Sequence, residues 1–248
     1  MKLKLSLNTK ISMQNAKHVN FNLLDRISHI LILKASYYSD IGLLDGKMGI
    51  AIAFAHLSRY STNNEIYYEY MSDLLDDILG NIHKGLNYSF KSGLSGIGWG
   101  IEYLIQNGFV EGDSVEICEE IDHRIMEVNP KRILDISMEN GFEGLLHYIV
   151  FHLQGAIRQE TKLPFDKEYL LDVYSACINI KSKEITSSLK ALIESYILFM
   201  DNKTHFDYSF NPINFVSDSF EVNNEKLIAN PLGLTNGLAG ELLKLMSN

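Results

Sequence analysis

The chain contains 248 residues, of which 46% are hydrophobic and 21% are charged, a composition typical of a globular protein with a packed core. This composition excludes a disordered, a collagen-like or a disulfide-rich chain. Lysine and arginine number 22 against 31 aspartate and glutamate, and the resulting net charge of −9 argues against nucleic acid as the main partner.

No run of apolar residues approaches the ~18 needed to cross a bilayer, so the sequence predicts no membrane span. The first 20 residues lack the apolar core and the cleavage site of a secretory signal peptide. Cys118 and Cys177 both lie in predicted helices, which favours buried free thiols over a disulfide. We therefore expect a soluble cytoplasmic protein.

Glycines mark a repeat along the chain. Twelve of the 17 lie in four short windows, and each window contains a G-x-x-G motif that begins at Gly46, Gly93, Gly141 or Gly237. These first glycines are 47, 48 and 96 residues apart, so a further window without glycines is expected near residue 189. A period of this length predicts repeated supersecondary units that bury their apolar faces against one another.

Each window is predicted to begin a helix. The residues directly before the first glycines are of types that commonly cap helix N-termini: Asp45, Ser92, Asn140 and Asn236. The residues after the glycines are apolar on nearly every side of a helix, which predicts buried inner helices near residues 46, 93, 140, 186 and 237.

The segments between the windows have a single apolar stripe, which is typical of helices that cover an outer surface; they span residues 65–83, 113–128 and 165–178. Alternating buried and one-sided helices predict an all-α fold, a double-layered α/α toroid or partial toroid of about five helical-hairpin repeats of ~48 residues, forming one domain over residues 1–248. Segment 204–232 interrupts this pattern with Pro212 and Pro231, and we expect a long loop there with a strand-like piece at Phe215–Val216.

Segment 42–51, GLLDGKMGIA, resembles the repeat signature of lanthionine synthetase C-like proteins, as does GLTNGLAG at 233–240; Ser92–Gly100 fits a looser version. The resemblance implies a helical toroid with a central cavity. Cyclases of this family use zinc to activate a peptide cysteine thiolate, which adds to a dehydroamino acid and closes a thioether ring. Their zinc ligands lie in Cys-Tyr-Gly and Cys-His-Gly segments before inner helices.

The zinc ligands of the family do not carry over to this chain. The matching positions hold no cysteine or histidine; they are Leu44-Asp45, Lys91-Ser92, Glu139-Asn140 and Thr235-Asn236. Because a catalytic zinc needs three protein ligands, commonly Cys or His, we predict neither a metal site nor another cofactor.

Polar residues near the inner-helix starts are the remaining candidates for a site, because parallel helices would direct their partly positive N-termini to one mouth of the toroid. The candidates for substrate binding are Asp45, Trp99, Asn140 and Asn236, and those for catalysis are His147, Glu143, Glu139 and Asp45. A purely structural interpretation stays open: the residues before the glycines as helix caps, His147 and His152 as hydrogen-bonded core histidines, and Trp99 as a space-filling side chain.

The leading hypothesis is a component in the modification of a ribosomally synthesised peptide, zinc-free and peptide-binding or accessory rather than a competent thioether cyclase. Its expected partners are a peptide or precursor peptide and a biosynthetic partner protein, and a homodimer is one way to complete an incomplete ring. Whether the chain is an enzyme stays open. One alternative is an α/α-toroid enzyme acting on glycosides through cavity carboxylates. Another is a non-catalytic interaction module, which is favoured if side chains fill the central cavity.

Overall fold

The computed structural model describes residues 22–61, 64–83, 85–181, 184–202, 206 and 208–247. Within these ranges the chain is all-helical and contains no β-strand. Its helices are α1 (22–35), α2 (Lys47–Tyr60), α3 (Asn64–Gly80), α4 (Leu94–Gln106), α5 (Ser114–Ile117), α6 (Glu119–Met126), α7 (Phe142–Arg158), α8 (Lys167–Lys181), α9 (Ser187–Asn202) and α10 (Leu238–Ser247). None of these helices is both long and apolar enough to cross a membrane. The N-terminal 20 residues, which lack signal-peptide features, and residues 204, 205 and 207 of the predicted loop lie outside the described residues.

The inner layer consists of α2, α4, α7 and α10, one helix for each glycine window. All residues of α4 except Gln106 are buried, and so are all residues of α7 from Phe142 to Ala156. Helix α2 packs against α4 and α10, and α4 packs against α7. The order of neighbours is therefore α10, α2, α4, α7, with the C-terminal helix beside the first inner helix.

The outer layer consists of one-sided helices, as predicted. Helix α3 packs against α2 and buries Tyr67, Met71, Leu74 and Ile78, a spacing of three to four residues that follows one face. The predicted helix over 113–128 is two helices, because the chain departs from helical geometry at the buried Cys118. Asp113 caps α5, its side chain accepting the Val115 N–H.

Helix α9 begins at Ser187, where the window without glycines was expected. Thr186 Oγ1 accepts the Leu189 N–H at 3.2 Å, so a local side-chain bond replaces the glycine loop. The helix buries one face only, including Ile193 and Tyr196, and leaves Leu198 53% exposed. The prediction of a buried inner helix near 186 is therefore wrong, because α9 packs on α7 and α8 without being enclosed.

The segment after α9 contains two single turns of 3₁₀ helix instead of a strand. The strand-like piece predicted at Phe215–Val216 is wrong: Phe215 ends the 3₁₀ turn Pro212–Phe215. The reason is local, since the Asn211 side chain accepts the Ile213 N–H at 3.0 Å and Pro212 fixes the first residue of the turn.

The inner helices begin from loops of one common design. Six residues before the first glycine of the first three windows stand Asp40, Asn87 and Asp135. Each side-chain oxygen accepts the N–H two residues further on, at 2.8 to 2.9 Å. Each main-chain carbonyl accepts the N–H of the residue after the first glycine, at 2.9 Å. Pro231 supplies the equivalent carbonyl for α10, at 2.9 Å from the Leu238 nitrogen.

These loops correct the predicted helix caps. The N-cap residues are the glycines Gly46, Gly93 and Gly141 themselves, in extended conformation and without a side-chain bond. The prediction that Asp45, Ser92 and Asn140 cap the helices is wrong, because a carbonyl six residues before the glycine binds the first helical N–H. Helix α10 starts at Leu238, so Asn236 likewise lies one residue outside the N-cap position.

The loops also bind one another in sequence order. Leu44 N–H donates to Lys91 O at 2.9 Å, and Lys91 N–H donates to Glu139 O at 2.9 Å. Leu234 and Thr235 N–H both donate to Leu44 O, at 2.7 and 3.0 Å. The four loops therefore form one hydrogen-bonded row in which the last lies beside the first.

The second glycine of each window lies against the carbonyl of its own loop. A Cβ atom at Gly96 would overlap Phe90 O, and one at Gly144 would overlap Met138 O. We expect Gly96→Ala to lower the free energy of unfolding by about 2–3 kcal/mol, because a main-chain oxygen cannot move aside without distorting the loop.

The matched control is Gly80→Ala in α3, where nothing lies within 4 Å of the added Cβ. This variant should be unchanged or stabilised by up to about 1 kcal/mol. Urea unfolding followed by circular dichroism compares the two, and equal stabilities would contradict the role assigned to Gly96.

Candidate functional site

The predicted polar mouth is held together by Lys91. Its Nζ lies 3.1 Å from Asp45 Oδ2 and 3.1 Å from Glu139 Oε2. The hydrogen bonds that the Lys91 ammonium donates to Asp45 and Glu139 raise its pKa. The structure thus joins two of the predicted catalytic residues through one cation, and leaves Asn140 and Asn236 exposed on the flanking loops. Because all three charged side chains are at least one-third exposed, the pairs add at most about 1 kcal/mol each.

The mouth offers fewer free main-chain donors than expected. The first helical N–H groups of α2, α4, α7 and α10 are all bound by loop carbonyls. An anion would have to compete with these internal bonds, so recognition at this mouth depends on the side chains. Asp45, Lys91 and Glu139 supply charge there, and Asn140 and Asn236 supply amide groups.

Glu143 lies apart from that group. It is in the first turn of α7 and only 7% exposed. Burial raises the pKa of its carboxyl, and a hydrogen bond with Ser188 at the start of α9 acts in the opposite direction. Glu143 therefore links two helices, and no second carboxylate is paired with it among the described residues.

Trp99 and His147 occupy equivalent positions, each three residues after the second glycine of its window. Both contact Tyr208: Trp99 Nε1–H donates to the phenol oxygen at 2.9 Å, and His147 Nδ1 lies 2.7 Å from the same oxygen. Trp99 and His147 are at most 2% exposed. The inner faces of α4 and α7 therefore both contact Tyr208, which was not among the predicted site residues.

Residues 208–216, which we call the inserted segment, lie on the inner faces of α4 and α7. The Phe210 and Phe215 rings pack at 6.4 and 5.2 Å from the Trp99 ring and 4.8 Å from each other. Gln154 binds the Tyr208 backbone. The space predicted to be a central cavity is occupied here by the chain itself. For Trp99 to serve as a stacking platform, the inserted segment would have to leave.

Burial determines the charge of His147: it lowers the pKa of the imidazole to about 4, so the ring is neutral at neutral pH. The Trp99 indole can only donate, so the Tyr208 oxygen accepts from it. The bond between the Tyr208 hydroxyl and His147 Nδ1 runs in the direction set by whichever ring nitrogen carries the proton. With either tautomer, His147 Nε2 is buried and has no partner among the described residues.

A buried ionic cluster joins α4 and α7 to α6 of the outer layer. His152 Nδ1 is 2.6 Å from Glu102 Oε2, and His152 Nε2 is 3.0 Å from Asp122 Oδ2 on α6. Tyr148 donates to the other Asp122 oxygen at 2.5 Å. The sequence indicated a core histidine at His152 but did not single out Glu102 and Asp122. One signal in the sequence could have identified Glu102: it is a charged residue within α4, a helix that is otherwise apolar on every side.

Opposing effects determine the charge of His152. Burial lowers its pKa, but the hydrogen bonds and charges of Asp122 and Glu102 outweigh burial and raise the pKa to about 9. An imidazolium between two carboxylates joins α4, α6 and α7. Because the cluster is sealed from solvent, it acts on packing and not on a substrate.

The donor set of a catalytic zinc is not assembled in the part of the chain that the structure describes. No group of three His, Cys, Asp or Glu side chains there could hold a metal ion. Both ring nitrogens of His152 are bound to carboxylates, and Cys118 and Cys177 are free and buried. Burial raises the pKa of both thiols far above neutrality, which disfavours the thiolate that binds metal.

Buried helices that begin at equivalent glycine loops, covered by one-sided outer helices, define the class of α/α-toroid proteins. The sequence matches the family described as lanthionine synthetase C-like protein over residues 13–148, more than half of the chain. The chain belongs to the lanthionine synthetase C-like family. The matched region contains the first three glycine windows and ends within α7. No curated protein and no solved structure matches the chain.

The His152 cluster makes stability depend on pH. The pKa of His152 is about 9 in the folded chain against an ordinary value of 6.5, so its contribution is fully present below pH 6.5 and is lost as the pH rises through 9. We expect His152→Gln to cost about 3 kcal/mol at pH 6, and the difference from the unsubstituted chain to shrink towards pH 9.5.

Urea unfolding at several pH values measures this difference. His147→Gln is the control: that histidine is neutral throughout the range, so its cost should not vary with pH. A cost for His152→Gln that is equally large at pH 6 and pH 9.5 would disprove the charged state assigned to this residue.

Proposed function

We propose that this protein takes part in the modification of a ribosomally synthesised peptide, as a zinc-free peptide-binding or accessory component and not as a thioether cyclase. The observation that carries the proposal is the set of residues directly before the first glycines. In a chain of the lanthionine synthetase C-like family they are Asp45, Ser92, Asn140 and Asn236, none of them a thiol or an imidazole. Such residues bind peptides by charge and hydrogen bonds but do not activate a thiol through a metal.

The mouth formed by the loop row supports peptide binding. Carboxylates at Asp45 and Glu139 can pair with a basic side chain, while the amides of Asn140 and Asn236 can bond a peptide backbone. A net charge of −9 favours approach of a cationic peptide. The free thiols Cys118 and Cys177 agree with a reducing compartment such as the cytoplasm.

The interaction module remains a second candidate because of one specific observation. The inserted segment fills the inner faces of α4 and α7, and Trp99 is fully buried beneath it. A filled interior is the condition under which the sequence favoured a non-catalytic module. A protein that binds a peptide without catalysing a reaction is consistent both with a non-catalytic interaction module and with the family relationship. The homodimer stays a prediction.

Nothing in the described part of the chain favours the glycoside-active alternative, which needs two carboxylates across an open central cavity. Asp45 and Glu139 share one ammonium, and Glu102 and Asp122 share one imidazolium. A groove of about 590 Å³ lies beside α5 and α6, on the outer layer; its acidic lining residues are Asp113, Glu116, Glu119, Asp122 and Asp166.

The zinc-free half of the proposal predicts the metal content. After expression in zinc-supplemented medium and purification without chelators, we expect far less than one zinc per chain by inductively coupled plasma mass spectrometry. A zinc enzyme purified in the same way is the control. Stoichiometric zinc that is lost in Cys118→Ser or Cys177→Ser would contradict the proposal and identify a ligand.

The peptide-binding half predicts a role for Lys91. We expect a short precursor peptide to be encoded beside this chain and to bind it, measured by fluorescence anisotropy of the labelled peptide. Lys91→Met should strengthen binding of a cationic peptide about fivefold, because the substitution removes a positive charge and frees Asp45 and Glu139 to pair with the peptide.

Lys131→Met is the matched control, since Lys131 forms a similar exposed pair with Asp172 away from the mouth. It should leave binding unchanged. Equal effects of the two substitutions would show that the loop row is not the peptide site.

A further inference from the structure

We propose that the inner faces of α4 and α7 form a second peptide-binding groove, which Tyr208–Phe210 occupies as an internal pseudo-ligand. The groove takes an extended peptide that carries a tyrosine and, two residues later, another aromatic residue. This inference rests on the proposed peptide-binding function but places a distinct site next to the loop row, whose Phe90 ring packs 5.9 Å from both the Trp99 and the His147 ring. Three features of the contact with Tyr208 support it.

The first feature is recognition of the peptide backbone. Gln154 Nε2–H donates to Tyr208 O at 2.9 Å, and Gln154 Oε1 accepts the Tyr208 N–H at 2.8 Å. Two bonds to the N–H and C=O of one residue are what a neighbouring strand provides when it receives an extended peptide. They depend on backbone atoms only, so they are available to a peptide of another sequence.

The inner helices themselves orient Gln154. Its Nε2 is 3.3 Å from Gln106 Oε1, which also accepts from Arg158 at 2.8 Å, and Gln106 Nε2 donates to Glu102 at 2.8 Å. None of these groups belongs to the inserted segment. The Gln154 amide, which binds the peptide backbone, therefore keeps its position whether or not Tyr208 is bound.

The second feature is recognition of the side chains. The Tyr208 hydroxyl accepts from Trp99 and shares a hydrogen bond with His147 Nδ1, so a phenylalanine in its place would leave two buried polar groups without partners. The Phe210 ring lies 5.1 Å from the His147 ring and packs against Phe215. The groove thus selects a phenol at one position and an aromatic ring two residues on.

The third feature is a polar atom that the inserted segment leaves unpaired. His147 Nε2 is buried and has no hydrogen-bond partner among the described residues, and an unpaired buried polar atom costs stability. A peptide that placed a polar group within reach of this nitrogen would make one hydrogen bond more than the resident segment. A core built only around Tyr208 would gain nothing from this unpaired atom.

Tyr208–Phe210 can leave the groove while the rest of the inserted segment stays folded. Ser209 is exposed, and Tyr208 and Phe210 are only partly buried. The chain is held on both sides of these three residues: Phe206 stacks on Phe199 at 4.4 Å, and the Asn211 side chain closes the next turn by accepting the Ile213 N–H. Release of Tyr208 therefore needs a change of backbone conformation within residues 208–211 only.

The test uses the full chain with an emptied groove, Tyr208→Gly with Phe210→Gly. The probe is a fluorescein-labelled peptide, Ser-Gly-Tyr-Ser-Phe-Gly-Ser, which keeps only the tyrosine and the phenylalanine. We expect this variant to bind the probe at least about tenfold more tightly than the unsubstituted chain, since no internal segment competes for the groove. Adding Gln154→Leu, or replacing the probe tyrosine by phenylalanine, should reduce that binding about tenfold or more.

A folded, cooperatively melting variant that does not bind the probe overturns the proposal. If the double variant does not fold, Tyr208→Phe replaces it: losing only the hydroxyl, this chain should bind the probe several-fold more tightly than the unsubstituted one, and equal binding overturns the proposal. Binding of the precursor peptide that depends on Lys91, with no probe binding, would refute this groove alone. Probe binding without precursor binding would refute only the proposed function.

Discussion

The contact between the second glycine of each window and the carbonyl oxygen six residues before it determines where every inner helix begins. Because no side chain separates helix from loop, the loop folds back over the first turn and its carbonyl reaches the first helical N–H. The loops then lie close enough to bind one another in a row in which the fourth loop lies beside the first, the first beside the second and the second beside the third. Helix α9 shows the alternative: it has a Thr186 cap in place of glycines and packs as a one-sided helix.

The inner layer could be predicted because the spacing of the glycines and the apolar residues on every side of each following helix can be recognised within one segment of sequence. Cap residues could not be assigned by type, since Asp45 and Ser92 are good capping residues that precede the cap by one position. The sequence contains a better signal for the helix starts. Six residues before the first glycine of the first three windows there is an Asp or Asn, and each forms a turn at the beginning of its loop; these residues are Asp40, Asn87 and Asp135. The break at Cys118 and the turn at Pro212–Phe215 depend on local geometry that apolar periodicity does not report.

The candidate site was predictable where its partners lie in equivalent repeat positions. Asp45 and Glu139 were identified, and Lys91 joins them because all three stand within two residues before the first glycines of neighbouring loops. Glu102, Asp122 and His152 were harder to connect, since His152 lies 50 residues from Glu102 on a neighbouring inner helix and 30 residues from Asp122 on an outer helix. Tyr208 has no repeat equivalent at all. It follows α9 in an insertion whose path depends on the space left between the inner helices.

The ionic cluster and the groove are connected through Glu102. One carboxylate oxygen binds the His152 imidazolium and the other accepts from Gln106, which orients Gln154 towards the Tyr208 backbone. The cluster also joins α4, α6 and α7, and none of its members belongs to the inserted segment. A buried imidazolium between two carboxylates is a costly way to stabilise packing alone, since apolar residues can fill the same volume. The cluster is better explained by the groove that it helps to position, because the donors and acceptors of that groove must stay in place when one peptide replaces another.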